Sequence, residues 1–144
     1  MKQFTSILLL LAAALLAACK SAATVPPTVE VVGQKVPVDG GSYTDVSVVE
    51  LQTMLASKDF TFVNVHIPFE GNIAKTDLSI AYDQIDQNLD KLPSDKNAKI
   101  AFYCRSGRMS AIAATTLVGL GYTNVWNLSG GMAAWEQAGL SIDR

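Results

Sequence analysis

Short β-rich runs alternate with helical patterns through most of this 144-residue chain. Residues 60–65 form one such run, and it follows a stretch at 48–57 whose apolar residues recur every three or four positions. Because strands that alternate with helices pair in parallel and are covered on both sides, we predict an α/β fold with a mainly parallel five-stranded sheet and helices on both faces. The predicted strands are 43–46, 60–65, 78–82, 99–103 and 125–128, and the predicted helices are 48–57, 85–92, 110–120 and 132–138.

A cysteine turn follows the fourth predicted strand. The strand ends at Cys104, and the next helix is predicted to begin at Ser110. The unpaired N–H groups and the dipole at a helix N-terminus stabilise an anion, so this position favours a thiolate. Two of the three arginines in the chain, Arg105 and Arg108, lie within the turn. The sequence therefore predicts a reactive thiol with an anionic substrate at the carboxyl edge of the sheet.

Length and composition limit the other functions. A chain of 144 residues fits one domain, and the net charge of −2 provides no basic face for nucleic acid. The sequence has neither a C-x-x-C motif nor a pair of histidines, so we predict no metal and no cofactor.

The N-terminus has the pattern of an export signal. Lys2 precedes an apolar run of twelve residues at 7–18, which is too short to span a bilayer. The run ends in Leu-Ala-Ala-Cys19, which resembles the bacterial lipoprotein signal, in which the cysteine is diacylated and becomes the mature N-terminus. An ordinary secretory signal and a short membrane anchor are the alternatives.

These features divide the chain into three parts. We predict a signal peptide at 1–18, a lipidated N-terminus with a flexible tether at 19–42, and a folded domain at 43–144. The domain would then be anchored to a membrane of the bacterial cell envelope through its lipid and face the periplasm. With lipid on Cys19, Cys104 would have no intramolecular partner, which favours a reactive over an inert thiol in an exported protein.

Two blocks of the sequence closely resemble single-domain rhodaneses. One is the cysteine turn with its helix, Phe-Tyr-Cys-Arg-Ser-Gly-Arg-Met-Ser-Ala-Ile-Ala-Ala at 102–114, and the other is the run from Leu-Gly-Tyr to Gly-Gly-Met-Ala-Ala-Trp at 120–135. The resemblance extends from about 43 to 140 and implies a rhodanese-like fold. It also implies a sulfurtransferase in which Cys104 carries a persulfide between a small sulfur donor, such as thiosulfate, and a thiol or cyanide acceptor.

The residues after the cysteine suit that chemistry. Arginines would attract an anionic donor and neutralise a leaving sulfite, a serine could donate a hydrogen bond, and a glycine lets the backbone turn closely around the sulfur. The predicted substrate-binding residues are Arg105, Ser106, Gly107, Arg108, Met109 and Ser110.

The first half of the domain departs from the usual rhodanese pattern. The second strand ends Asn-Val-His66 where most members have Asp-x-Arg, and Gly-Asn72-Ile replaces Gly-His-Ile. We predict that His66, Asn72, Thr76 and Asp77 lie at the mouth of the site. Asp77 and Glu70 could orient a cationic group or serve only as solvated loop acids.

Two other functions are open. Cysteine phosphatases and arsenate reductases use a similar anion-binding turn, but the phosphatase pattern needs five residues between cysteine and arginine, and Ser110 occupies that position. Rhodanese-like domains also act as binding or redox-sensing modules. This chain retains the cysteine that binding modules usually lack, and it has no resolving cysteine for redox sensing.

Overall fold

The computed structural model describes residues 29–144. The predicted signal peptide, Cys19 and the first part of the predicted tether lie outside the described residues. Within 29–144, no helix has the length and apolar character needed to cross a membrane.

Six strands, three α-helices and two short 3₁₀ turns make up the described chain. The strands are β1 Gln34–Val38, β2 Gly41–Val46, β3 Thr61–Asn64, β4 Leu78–Ser79, β5 Ile100–Tyr103 and β6 Val125–Leu128. The helices are α1 Val48–Ala56, α2 Arg108–Gly119 and α3 Gly131–Gln137, and the 3₁₀ turns are Tyr82–Gln84 and Asp86–Lys91.

The strands form one mixed sheet in the order β1-β2-β6-β5-β3-β4. The β1–β2 pair is antiparallel, and the β2–β6, β6–β5, β5–β3 and β3–β4 pairs are parallel. The sheet therefore has six strands rather than the predicted five, and its parallel part carries an antiparallel edge strand. Strand β5, which leads into Cys104, lies in the interior of the sheet.

The additional strand, β1, falls in the stretch that the sequence assigns to the tether. It pairs with β2 from Gln34 opposite Asp45 to Val38 opposite Gly41, and Asp39 and Gly40 form a two-residue turn. Gly40 has φ +87°, a left-handed conformation that glycine adopts without steric cost. Pro37 is tolerated here because β1 is an edge strand.

Side chains of β5 alternate between two cores. Ile100 and Phe102 pack in the core that contains residues of α2, whereas Ala101 and Tyr103 pack with α1 and α3 on the other face. Helices thus cover both faces of the sheet. Cys104 continues the alternation and lies on the α2 face.

Three predicted elements differ in extent. Helix α2 begins at Arg108, two residues before the predicted start, because Gly107 already acts as its N-cap. The strand predicted at 78–82 is only the two-residue β4, and the helix predicted at 85–92 consists of 3₁₀ structure instead.

A capping box formed by Ser47 and Glu50 starts α1, and Glu50 also holds the chain before β1. Glu50 N donates to Ser47 Oγ at 3.3 Å, and Ser47 N donates to Glu50 Oε2 at 2.9 Å. Gly33 N donates to the other carboxylate oxygen at 2.8 Å. These backbone hydrogen bonds, first that of Ser47 and then that of Gly33, lower the pKa of Glu50 to about 2.

Glu50→Gln should therefore destabilise the fold in a pH-dependent way. A folded-state pKa of about 2, below the ordinary 4.5, gives stability that is present above pH 4.5 and lost as the pH falls toward 2. We expect the variant to lose about 1 kcal/mol of unfolding free energy at pH 7, a typical value for a helix cap, and progressively less on acidification. Urea unfolding at several pH values measures this loss, with Glu30→Gln as an exposed control; a loss independent of pH would contradict it.

Candidate active site

Cys104 lies immediately after the interior strand β5 and is 1% exposed. The neighbouring strand β3 is held alongside by the hydrogen bond from Val65 N to Tyr103 O, at 2.9 Å. The thiol thus sits at the carboxyl edge of the sheet, where α/β folds bind ligands.

Two donors surround the sulfur. Gly107 N lies 3.1 Å from Cys104 Sγ, and Ser110 Oγ lies 3.4 Å from it. Ser110 Oγ is also 3.2 Å from Gly107 O, so its single proton serves one of these acceptors at a time. Gly107 adopts φ +91° as the N-cap of α2, and this left-handed conformation turns the chain back toward the thiol.

The N-terminus of α3 binds the backbone of the cysteine turn. Met132 N donates to Cys104 O and Ala133 N donates to Arg105 O, both at 2.9 Å. Because these carbonyls are directed toward α3, they point away from the sulfur, and the N–H of Gly107 faces it. A Cβ on Gly131 would lie 2.2 Å from Cys104 O, so only glycine permits this close approach.

Arg105 forms an ion pair with Glu70, in which Arg105 Nη1 donates to Glu70 Oε2. The hydrogen bond from Arg105 holds the pKa of the Glu70 carboxyl below its usual range. Glu70 thus contacts a cationic side chain, as the first of the two interpretations that the sequence left open requires.

His66 also reaches this ion pair. Its side chain is 8% exposed, and its Nε2 lies 3.4 Å from Glu70 Oε2, although without the geometry of a hydrogen bond. Neither ring nitrogen has a hydrogen-bond partner within residues 29–144. The structure therefore places His66 beside Arg105 and Glu70, at the carboxyl end of β3.

The remaining residues of the turn are more open. Ser106 and Arg108 are exposed, and Arg108 has no ion-pair partner in the described part of the chain. Met109 is half-buried and packs against the core on the α2 face. No described residue therefore compensates the charge of Arg108, whereas Glu70 compensates that of Arg105.

Asn72 and Thr76 contact the opposite face of β5. Asn72 Oδ1 accepts from Asn64 Nδ2 at 3.0 Å and from the Tyr103 hydroxyl at 3.1 Å, and Thr76 Oγ1 lies 2.8 Å from that hydroxyl. Ile73 N also donates to the Tyr103 hydroxyl, at 3.0 Å. Tyr103 and Cys104 point to opposite faces of the sheet. Asn72 and Thr76 therefore hold the 66–77 segment against Tyr103 and do not line the thiol.

Asp77 lies away from Cys104, which corrects its predicted place at the site mouth. Its carboxylate accepts from Phe62 N at 2.8 Å and pairs with Lys58 Nζ at 2.6 Å. Phe62 belongs to the amino-terminal half of β3, whereas the thiol follows the carboxyl end of β5. Asp77 therefore fixes the start of β4 against β3.

Two clefts of the described chain lie elsewhere. One of about 360 Å³ includes Asp59, Lys99 and Trp126, and one of about 280 Å³ lies between α1 and Trp135. Neither cleft includes Cys104 in its lining. No group of three or more His, Cys, Asp or Glu side chains within residues 29–144 is arranged to hold a metal ion.

Comparison with known proteins agrees with this geometry. Residues 48–138 match the rhodanese-like domain family. The matched residues include strands β3 to β6 and the turn that surrounds the Cys104 sulfur. The chain therefore belongs to the rhodanese family.

Individual relatives show the same relationship. The chain is 33% identical to a sulfurtransferase of Allochromatium vinosum over 94 residues, which cover 63% of this chain and 85% of the relative. A rhodanese-related protein of Thermoplasma volcanium superposes with a TM-score of 0.59 at 28% identity, covering 69% of this chain and 97% of that one. A Rhodopseudomonas palustris protein of unknown function, described as a possible tyrosine phosphatase, has a TM-score of 0.61 at 25% identity, covering 70% of this chain and 85% of that one.

Replacing Gly131 should disrupt the turn. In Gly131→Ala the new Cβ would collide with Cys104 O, and alanine would be strained at φ +56°. We expect a loss of unfolding free energy of about 2 kcal/mol or more, together with slower alkylation of Cys104 by iodoacetamide. Gly139→Ala is a matched control, since Gly139 has φ +81° but no atom within 4 Å of the added Cβ. Equal effects of the two substitutions would contradict this role of Gly131.

Proposed function

We propose that this protein is a sulfurtransferase that moves sulfane sulfur from a small anionic donor to a thiol or cyanide through a persulfide on Cys104. The observation that carries the proposal is the sulfur environment: Gly107 N and Ser110 Oγ lie within 3.4 Å of Cys104 Sγ, in a turn that also carries the exposed cationic side chains of Arg105 and Arg108. The sulfurtransferase of Allochromatium vinosum supports the same reaction class.

The first half-reaction loads the enzyme. The Cys104 thiolate attacks the terminal sulfur of thiosulfate, a new S–S bond forms, and the bond to the sulfonate sulfur breaks. Sulfite leaves with the electron pair, and the persulfide anion remains on Cys104. The N–H donors that stabilise the thiolate also stabilise this anion, and the arginines offset the charge of the departing sulfite.

The second half-reaction unloads it. A thiolate acceptor attacks the outer sulfur and leaves as a new persulfide, or cyanide attacks and leaves as thiocyanate. In either case the electron pair of the broken S–S bond returns to Cys104, which restores the thiolate. Ser110 can then redirect its single proton between Gly107 O and the sulfur as charge on the sulfur changes.

The environment of Ser110 favours sulfur transfer over phosphoryl transfer. Ser110 occupies the position at which a cysteine phosphatase carries arginine, and its side chain is fully buried. A buried hydroxyl next to Cys104 Sγ provides a neutral donor for one sulfur atom, whereas a phosphoryl group needs a cation that clamps its oxygens.

Mass spectrometry after incubation with thiosulfate tests the proposal. The wild-type domain should gain the mass of one sulfur, about 32 Da, and lose it on addition of cyanide with release of thiocyanate. Cys104→Ser should gain no sulfur, because a hydroxyl at this position is not ionised and cannot form the persulfide.

Ser110→Ala should reduce the activity that Cys104→Ser abolishes. It removes one of the two donors at Cys104 Sγ, and we expect turnover to fall about tenfold, since one charge-assisted hydrogen bond contributes roughly 1.5 kcal/mol. Absence of a sulfur adduct with thiosulfate and with organic persulfides, or turnover of an aryl phosphate instead, would contradict the proposed function.

We also propose that the domain works at a membrane surface of the bacterial envelope, facing the periplasm, with lipid on Cys19. Support for this comes from the sequence of residues 1–19. Labelled palmitate should be incorporated into the wild-type protein expressed in bacteria and not into Cys19→Ser. Incorporation into both proteins, or into neither, would contradict lipidation at Cys19.

A further inference from the structure

We infer that Glu70 is a specificity-determining residue that sets the negative charge of the donor accepted at Cys104. This inference rests on the proposed sulfurtransferase function. Glu70 cancels the charge of Arg105, so that the site favours doubly charged donors such as thiosulfate over singly charged ones less than the two arginines alone would. Glu70 lies on the 66–70 loop, which begins at His66, one of the positions at which the sequence departs from the usual rhodanese pattern.

The geometry ties Glu70 to the cysteine turn. Arg105, the residue after the nucleophile, donates from Nη1 to Glu70 Oε2. Arg105 is 55% exposed and Glu70 37% exposed, so the pair lies at the surface where a donor approaches. His66 Nε2, 3.4 Å from the same carboxylate oxygen, packs the pair from its buried side.

The loop that carries Glu70 is held in place, so the carboxylate is a fixed part of the site. His66 N donates to Asn64 Oδ1 at 3.0 Å, and Asn64 Nδ2 donates to Gly71 O at 2.9 Å. The loop is therefore tied on both sides of Glu70 to the end of β3. A carboxylate held in this way acts on every donor that reaches Cys104.

The charge balance of the turn follows from these contacts. Arg105 is compensated by Glu70, whereas Arg108 has no ion-pair partner in the described chain. The carboxylate thus halves the cationic charge that the two arginines would otherwise present. A donor with two negative charges interacts more strongly with the field of the arginines than a donor with one does. Removing the charge of Glu70 therefore favours the dianion over the monoanion.

Two sulfur donors differ in charge but react in the same way. Thiosulfate is a dianion that releases sulfite, and methanethiosulfonate is a monoanion that releases methanesulfinate. In both, the thiolate attacks the terminal sulfur and the bond to the sulfonyl sulfur breaks, which leaves the same persulfide on Cys104. The ratio of kcat/KM for thiosulfate to kcat/KM for methanethiosulfonate therefore reports the effect of donor charge.

The test measures this ratio at low ionic strength in wild type and Glu70→Gln. Glutamine keeps the size of the side chain and an oxygen that accepts from Arg105, but carries no charge. We expect the ratio to rise about three- to tenfold in the variant, and the rise to shrink in high salt. The reciprocal variant Arg105→Gln leaves Glu70 uncompensated and should lower the ratio.

Asp59→Asn provides the matched control. It removes the same charge from another surface pair, since Asp59 Oδ1 lies 3.1 Å from Lys99 Nζ at the amino end of the strands, about 16 Å along β5 from Cys104. Its ratio should stay at the wild-type value. An unchanged ratio in Glu70→Gln, or an equal fall for both donors, would overturn the inference, whereas a wild-type protein that takes sulfur from neither donor would instead refute the proposed function.

Discussion

The packing of α3 against the cysteine turn is the constraint on which the rest of the site depends. Two hydrogen bonds of 2.9 Å fix the carbonyls of Cys104 and Arg105 to the first turn of α3, and Gly131 has no side chain that would keep these backbones apart. The carbonyls are thereby turned away from the sulfur, and the N–H of Gly107 is turned toward it. The N-terminus of α3 thus holds the cysteine turn in place. The turn in turn positions the N-terminus of α2 to stabilise an anion on the sulfur.

Cys104 and Ser110 are buried, whereas the arginines of the turn are exposed. Strand alternation directs the thiol into the α2 face of the core, where apolar neighbours exclude water. Arg105 and Arg108 lie on the outer side of the turn. The reacting sulfur is therefore held by short-range donors, whereas charge acts at the surface, where Glu70 compensates one of the two arginines.

Much of this arrangement is predictable from the sequence, because it depends on local patterns. The capping box at Ser47, the strand before Cys104 and the helix after it all lie where periodicity and turn residues indicate. Strand β1 is missed because Pro37 within it and the glycines before and after it resemble the punctuation of a linker, although the Asp-Gly turn after it is a strong hairpin signal. The roles of Glu70 and Asp77 depend on long-range contacts with Arg105 and Lys58, which spacing along the chain does not reveal.

A crystal structure of the domain after incubation with thiosulfate would show whether the N-terminus of α2 holds a persulfide on Cys104. We expect additional density for one sulfur on Cys104 Sγ, within hydrogen-bond distance of the backbone N–H groups at the start of α2, with the hydrogen bonds from α3 to Cys104 and Arg105 intact. A sulfur that points into solvent away from these N–H groups, or oxygen atoms on Cys104 in its place, would contradict it.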